Sequence, residues 1–587
     1  MRKAVVIVLS ILALLAATAA AYTWVNAFVN SIYGYRSPLK GAPPLTEYTT
    51  RPLTSQVVLV LADGLRYDTS LQMPYLNSLR KLGAHARMLS SPPSNTQTGW
   101  TALISGASPE LNDTPLFDRD YDWLPPIAVD HLFAALQRAG ATTGIAGFHW
   151  WEKLVPSDDL YTKYYVSTEG DAADREIIER ATMFLNEFRP NFLLVHLRQI
   201  DVAGQEYGGA STEYEQAAMR CDEHIRRLAA NMNLKRSVLI VTSSHGHLDE
   251  GGHGGEETVT LSTPLVIVGE NVRPGDYDVL SQTDFAPTVA ALLGAPIPSA
   301  AQGRMRVDVL RTNSVDQAEK LVALASQRVR IGNVFLGSVG RGGLSETAEG
   351  DMAVALSSLQ VKNYDSAYEL ASLSIQQTDR EMALARRSRL WKERAQRGLP
   401  IAAAALAPLW IIWHERSKRM AWSLLAALLS AALYPAQFLL QGNTYSFSRV
   451  PAGGLAATLR PSLEYAAIAL GAGALIITLR TWREQERSVF AVVMRTYGYA
   501  SLQLYFVGLL IGACTWWNGP LLSWYLPSLT LAYVHFAALM QAMLIAGMAL
   551  VLPAVVVILQ RALLVITDLR SRNAMRVGGA YAGRDHR

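Results

Sequence analysis

At 587 residues the chain exceeds one ordinary domain. Half of it is apolar, 17% is charged, and the formal net charge is +4. That small excess sits in short basic loops and the tail, so charge gives no reason to expect nucleic acid as a partner. The two cysteines are read as free thiols. Cys221 lies in a charged helical stretch and Cys514 in an apolar run, and a bridge would have to join a soluble domain to a membrane span.

Residues 1–22 open with Arg2-Lys3 and continue apolar to about Ala21. This is a signal peptide, with "ATAAAY" as its small-residue end, or an uncleaved signal anchor. Continued apolar character through "TWVNAFV" favours the anchor. Residues 23–54 carry Pro38, Pro43, Pro44 and Pro52 and are expected to be a linker.

Residues 55–312 alternate short apolar runs with helix-like stretches. The runs are "VVLVLADG", "TTGIAGF", "NFLLVHL", "SVLIVTSS" and "PLVIVG". Between them lie "DHLFAALQRAG", "DREIIERATMFLNEF" and "TEYEQAAMRCDEHIRRLAANM". Such alternation predicts an α/β domain with a doubly wound, largely parallel sheet. Chemistry in such sheets collects at the carboxyl ends of the strands.

Residues 313–397 read as a helical spacer. From 398 to 567, long uncharged runs predict an all-α membrane domain of about five spans, near 399–413, 420–440, 462–479, 496–517 and 529–560. The first is short for a bilayer of roughly 30 Å, and the last is interrupted by Pro553 and also reads as two spans. Arg2 and Lys3, the loop with Arg416, Lys418 and Arg419, the loop with Arg480, Arg483 and Arg487, and the basic tail 568–587 are all expected on the cytoplasmic side. One N-terminal span plus five later ones satisfies this and puts the α/β domain outside the cytoplasm. Almost no charge lies inside the spans, which speaks against an ion pathway.

Several residues in the α/β domain carry chemistry. Asp63 ends an apolar strand, where a carboxylate binds a cation or caps a turn. Thr96 lies in "SPPSNTQTGWTALISG", before a helix expected to begin near Gly99. A hydroxyl there attacks or holds a phosphate, or caps the helix. Asp201 follows "FLLVHL". His245, His247 and His253 fall within one short glycine-rich loop, and imidazole is a common ligand for zinc, manganese and iron.

Taken together, "LVLADGLRYDT", "PPSNTQTGWTALISG", "HLRQIDVAGQEYGG", "VTSSHGHLDEGGHGG" and "QTDFAPTVAALLGAPIP", in that order, resemble the alkaline phosphatase superfamily. The branch is that of the phosphodiesterases, nucleotide pyrophosphatases and GPI ethanolamine-phosphate transferases. The resemblance implies an alkaline phosphatase-like fold and two divalent metal ions, usually zinc. Carried over, Asp63, Thr96 and His245 hold one ion, Asp201 and His253 hold the other, and Thr96 is the nucleophile. Gly99 takes the place where some relatives have an asparagine on the phosphoryl oxygens.

The chain departs from the pattern twice. Ser244 stands where the family has Asp, and Gln205 where it has His. Serine and glutamine are weaker donors for zinc. One or two ions are therefore expected, with His247, Asp249 or the more remote His149 as substitutes. The resemblance implies a membrane-bound phosphoric ester hydrolase or phosphotransferase acting on a phosphoester, free or lipid-linked. The alternative is a degenerate member of the same fold that only binds. The sulfatase branch fits less well, because it needs a convertible Cys or Ser nucleophile that is missing at Thr96.

Overall fold

The computed structural model describes residues 2–36, 44, 49–414, 418–450 and 454–582. Linker residues 37–43 and 45–48, with Pro38 and Pro43, lie outside the described residues, as do Arg416 and the tail residues 583–587.

Eight strands form one sheet: β1 (Val57–Ala62), β2 (Ala84–Leu89), β3 (Thr143–Phe148), β4 (Thr162–Val166), β5 (Phe192–Leu197), β6 (Val238–Thr242), β7 (Ser262–Gly269) and β8 (Gly275–Ser281). The order is β4-β3-β5-β1-β6-β7-β2-β8. Only β7 runs against its neighbours β6 and β2; the other pairs are parallel. Val57 is level with Phe192 on one side and Val238 on the other, so β1, β5 and β6 end together. The sheet is thus largely parallel with helices on both faces. Every residue of β1, β3, β5 and β6 is buried, as expected for strands covered on both sides.

Three strands carry no continuous apolar run. β2 alternates buried and exposed residues and includes His85 and Arg87. β4 and β8 lie at the two edges and are partly exposed.

Helices 314–338 and 346–360, with the first half of the next helix, do more than span a gap. Ala318, Val322, Leu324 and Ala325 are buried in the same apolar cluster as Leu59, Ile240 and Phe192 of the sheet. Buried Lys320 donates to Thr50 Oγ1 at 3.0 Å and to the Arg51 carbonyl at 2.8 Å, which ties the segment before β1 to this layer.

Among the described residues, six helices are long and apolar enough to cross a membrane: Lys3–Tyr33, Met420–Leu440, Leu455–Arg483, Val489–Asn518, Leu529–Ala549 and Leu552–Asn573. The first belongs to α1 (Arg2–Tyr33), so residues 23–33 of the expected linker are helical. They stay helical because Phe28 and Ile32 bury themselves in the helical bundle. The stretch 399–413 is the end of one long helix, Tyr364–His414. The expected single run 529–560 is two helices that meet after Ala549.

Contacts give the direction of each helix. Arg397 Nη1 reaches the Trp516 carbonyl at 3.2 Å, and Tyr505 donates to the Ala405 carbonyl at 2.7 Å. Residues 397–405 therefore run antiparallel to Val489–Asn518. Leu529 starts beside Glu256 of the α/β region, whereas Gln560 donates to the Glu486 carbonyl and Trp482 to Thr567 Oγ1. Leu529–Ala549 and the start of Leu552–Ala582 thus descend in one sense, towards the loop 484–488. Lys3 lies over the Phe490 ring at that same end. Loops 441–450 and 519–528 lie at the opposite end, against the α/β region.

Candidate metal and nucleophile site

Four strand ends bring the chemistry together. Asp63 follows β1, and Asp201 follows β5 on α2 (Gln199–Tyr207). The histidine loop follows β6. Thr96 follows β2 as the first residue of the helix Thr96–Ser105; this helix starts at Thr96, not near Gly99, and Asn95 is its cap. All of these side chains except His253 are fully or nearly fully buried.

Asp201 is the hub. Its Oδ1 lies 3.0 Å from His247 Nε2, 3.8 Å from His245 Nε2 and 3.9 Å from His253 Nε2. One donor atom from each of these four residues falls within 4.8 Å of all the others. Gln205 turns its amide nitrogen to Asp201 Oδ2 at 2.9 Å and lies 3.3 Å from His253 Nε2. It therefore orients the carboxylate instead of offering a carbonyl ligand. His253 Nδ1 faces the Ser94 carbonyl at 2.9 Å, which holds the proton on Nδ1 and leaves the Nε2 lone pair facing Gln205 Nε2 and the Asp201 cluster. His245 is held the same way, with Nδ1 3.1 Å from the Gly246 carbonyl. Its Nε2 then lies 3.1 Å from Thr96 Oγ1.

Asp63 is surrounded differently. Its Oδ1 accepts the Ser244 hydroxyl, and its Oδ2 accepts Trp100 Nε1 at 3.1 Å and His196 Nε2 at 3.2 Å. The Phe148 amide donates to His196 Nδ1, so the proton is on Nε2 and points at Asp63. Trp100 stacks on Trp151, 4.6 Å between centroids, and meets His196 edge-on.

Burial alone would raise the Asp63 and Asp201 carboxyls, but hydrogen bonds and charge from the histidines outweigh it and hold both below the usual range. Burial pushes His245, His247 and His253 below the usual imidazole range, against the pull of Asp63 and Asp201.

Asp118 was not evident in the sequence. Its carboxylate accepts the Gln97 amide at 2.9 Å and the Thr96 amide at 3.3 Å. The helix N-terminus expected to attract a phosphate is thus already occupied by a carboxylate. Gly99 donates its amide to the Asn95 carbonyl and leaves no room for a side chain, because a Cβ would meet Ser244 Cβ at 2.9 Å. Two proposed substitutes stand apart. Asp249 pairs with Arg66 at 2.6 Å, and His149 packs on Tyr121 and Phe148. Trp100 and His196 stand within the quoted motifs without a role assigned there and Asp118 stands outside them; the folded sheet edge brings all three to Asp63 and Thr96.

Residues 57–114 and 119–292 match the family model of the type I phosphodiesterases / nucleotide pyrophosphatases. The match covers the sheet-bearing part of the chain, and Asp63, Thr96, Asp201 and the three histidines lie inside it, while Asp118 falls between its two segments. Among individual relatives, the human catalytic subunit of GPI ethanolamine phosphate transferase 3 is 27% identical over 274 residues, 42% of this chain and 25% of its own length. The human catalytic subunit of GPI ethanolamine phosphate transferase 2 is 27% identical over 299 residues, 47% of this chain and 30% of its length. The chain therefore spans about a quarter to a third of these relatives. Murine ectonucleotide pyrophosphatase / phosphodiesterase 5 overlays 43% of this chain and 100% of its own, at 14% identity and a TM-score of 0.38.

Proposed function

We propose that the chain is a multi-pass membrane phosphodiesterase or phosphotransferase that works through a threonine nucleophile. The observation that carries this reading is the placement of Thr96. It is the first residue of a helix, at the carboxyl edge of the sheet, with Oγ1 3.1 Å from a histidine nitrogen whose lone pair is free. In the reaction, Oγ1 forms a bond to phosphorus as the bond from phosphorus to the ester oxygen breaks. The hydroxyl proton passes to His245 Nε2 and then to the departing alkoxide. An acceptor hydroxyl, or water, reverses the sequence: it bonds to phosphorus, the bond from phosphorus to Oγ1 breaks, and its proton returns through His245 to Thr96.

The donor set of Asp201, His247 and His253, with the His253 ring held by the Ser94 carbonyl, suits a divalent ion such as zinc. When bound, such an ion neutralises phosphoryl oxygens and makes an oxygen nucleophile more acidic.

The substrate we infer is a phosphoester carried on a lipid. A pocket of about 450 Å³ is lined by Asn95, Asp118 and His253 on the site's side and by Tyr33, Phe447 and Val450 on the side of the membrane helices. By the distribution of Lys and Arg, the end of the bundle bearing Arg480, Arg483 and Arg487 faces the cytoplasm, and the α/β region faces away from it.

One observation favours a second reading, binding without turnover: Asp118 occupies the amides that a phosphoryl group would use. Hydrolysis of an activated phosphodiester by the full chain in detergent micelles separates the two. Turnover that Thr96→Ala abolishes supports the enzyme. No turnover with any divalent ion, alongside intact binding of a phosphonate analogue, supports the second reading.

A further inference from the structure

The family pattern has two metal sites, but this chain's residues do not fit both. At the first, both Asp63 oxygens face protein donors: the Ser244 hydroxyl, the Trp100 indole N–H and the His196 imidazole N–H. A cation there would have to displace hydrogens that point at the carboxylate, and Ser244 adds no charge to hold it.

The second site also has donors on its carboxylate, His247 Nε2 on Oδ1 and Gln205 Nε2 on Oδ2, but one of them is an imidazole that can itself become a ligand. Asp201 Oδ1 lies 3.0 Å from His247 Nε2 and 3.9 Å from His253 Nε2, with Gln205 holding the other oxygen. Ligands about 2.0–2.2 Å from a tetrahedral zinc sit about 3.3–3.5 Å apart, so these separations bracket what one ion requires.

His247 is built into this place. Its ring fills a slot between Gly64 and Gly204. A Cβ on Gly204 would come within 2.4 Å of His247 Cδ2, and one on Gly64 within 2.9 Å of His247 Nε2. The ring is fully buried, yet its Nδ1 has no hydrogen-bond partner. No donor at Nδ1 fixes the proton of this ring on Nε2, as the Phe148 amide does for His196, so Nε2 is able to turn a lone pair to an ion.

His245 faces the other way. Its closest polar neighbour through Nε2 is Thr96 Oγ1 at 3.1 Å, well inside its 3.8 Å to Asp201 and 3.9 Å to Asp63. We propose that this chain holds a single divalent ion on Asp201, His247 and His253, with a fourth position open to substrate, and that His245 is released from metal binding to serve as the base for Thr96. Three protein ligands and one open position is the pattern of a catalytic zinc site. The division of labour between His245 and the ion rests on the functional reading above; the single ion and its ligands do not.

The test is metal content of the full chain in detergent micelles, loaded with zinc and dialysed, for the wild type and for His247→Ala, His253→Ala, His245→Ala and Asp63→Asn. One ion per chain is expected. It should be lost or weakened at least tenfold by the first two changes and kept by the last two. Two tightly held ions, or a loss in His245→Ala or Asp63→Asn equal to that in His247→Ala, would overturn the proposal. Cobalt substitution of the wild type guards against variants that fail to fold. A single uncoupled high-spin signal saturating at one equivalent supports one site. A coupled pair at two equivalents refutes it, since paired ions sit about 3.5–4 Å apart. The metal count is independent of turnover: one ion without phosphodiester hydrolysis would sink the functional reading alone, and hydrolysis with two ions would sink this inference alone.

Discussion

Asp63 shows how a carboxylate is kept in a core by hydrogen-bond donors. Its two oxygens share a hydroxyl, an indole and an imidazole, and each donor is itself fixed by packing. Removing one donor leaves a buried acceptor short of a partner, at about 1–3 kcal/mol. Trp100→Phe keeps an aromatic ring but deletes the N–H and part of the surface stacked on Trp151, so its thermal midpoint should fall by several degrees, at roughly 2–4 °C per kcal/mol. An unchanged midpoint would mean that water replaces the indole. Asp118 makes the opposite case. It places carboxyl oxygens on the amides of Thr96 and Gln97, where an anion would bind, and burial pushes this carboxyl above its usual range. Asp118→Asn should therefore bind inorganic phosphate several-fold more tightly, measured by calorimetry. Equal or weaker binding would show that the carboxylate does not compete with the anion.

Each site residue is only as well placed as the element that carries it. The start of α2 is pinned by Asp174, which accepts the Arg198 and Gln199 amides at 3.0 and 3.2 Å. Burial raises this carboxyl from 3.8 to about 6 despite those bonds. Between about pH 4 and 6 the native state thus keeps a proton that the unfolded chain has lost. Stability from this group is full below pH 4 and falls as pH rises through 6, by about 3 kcal/mol in all. The difference in thermal midpoint between wild type and Asp174→Asn should change across that window and level off above it; a flat difference would contradict the assignment. The strands that position the site were legible in proportion to their burial. β1, β3, β5, β6 and β7 are buried almost throughout and read as apolar runs. β2, β4 and β8 gave no such signal because part of each faces solvent. The same holds within the site. Asp63, Thr96, Asp201, His245 and His253 stand in local motifs, whereas Trp100, His196 and Asp118 matter only through partners distant in sequence. For Gln205, sequence shows the residue type but not which end of its amide faces Asp201.

At the scale of the molecule, the histidine loop is held from both sides. His253 reaches into the Asp201 cluster, and a few residues on Glu256 accepts the Leu529 and Thr530 amides and the Ser528 hydroxyl. Glu257 takes the Ser446 and Ser448 hydroxyls, and Glu250 pairs with Arg449. Glu256→Ala with Glu257→Ala should speed hydrogen exchange across 248–257 and weaken metal binding, while the sheet stays protected. Unaltered exchange in the loop would show that the glycine-rich segment holds itself. The same architecture sets sides: cysteine placed at 485 should be protected from impermeant reagents in intact cells, and cysteine placed at 446 should lie on the reagent's side once it is accessible. Labelling at 485 would reverse the arrangement. The central claim is the covalent one, that Thr96 takes up the phosphoryl group. Mass spectrometry of the acid-quenched full chain after brief exposure to an activated phosphodiester tests it most directly. A phosphoryl-ester adduct on the peptide containing Thr96, absent from Thr96→Ala, is the predicted result. Steady turnover with no adduct at Thr96, and with Thr96→Ala still active, would contradict it.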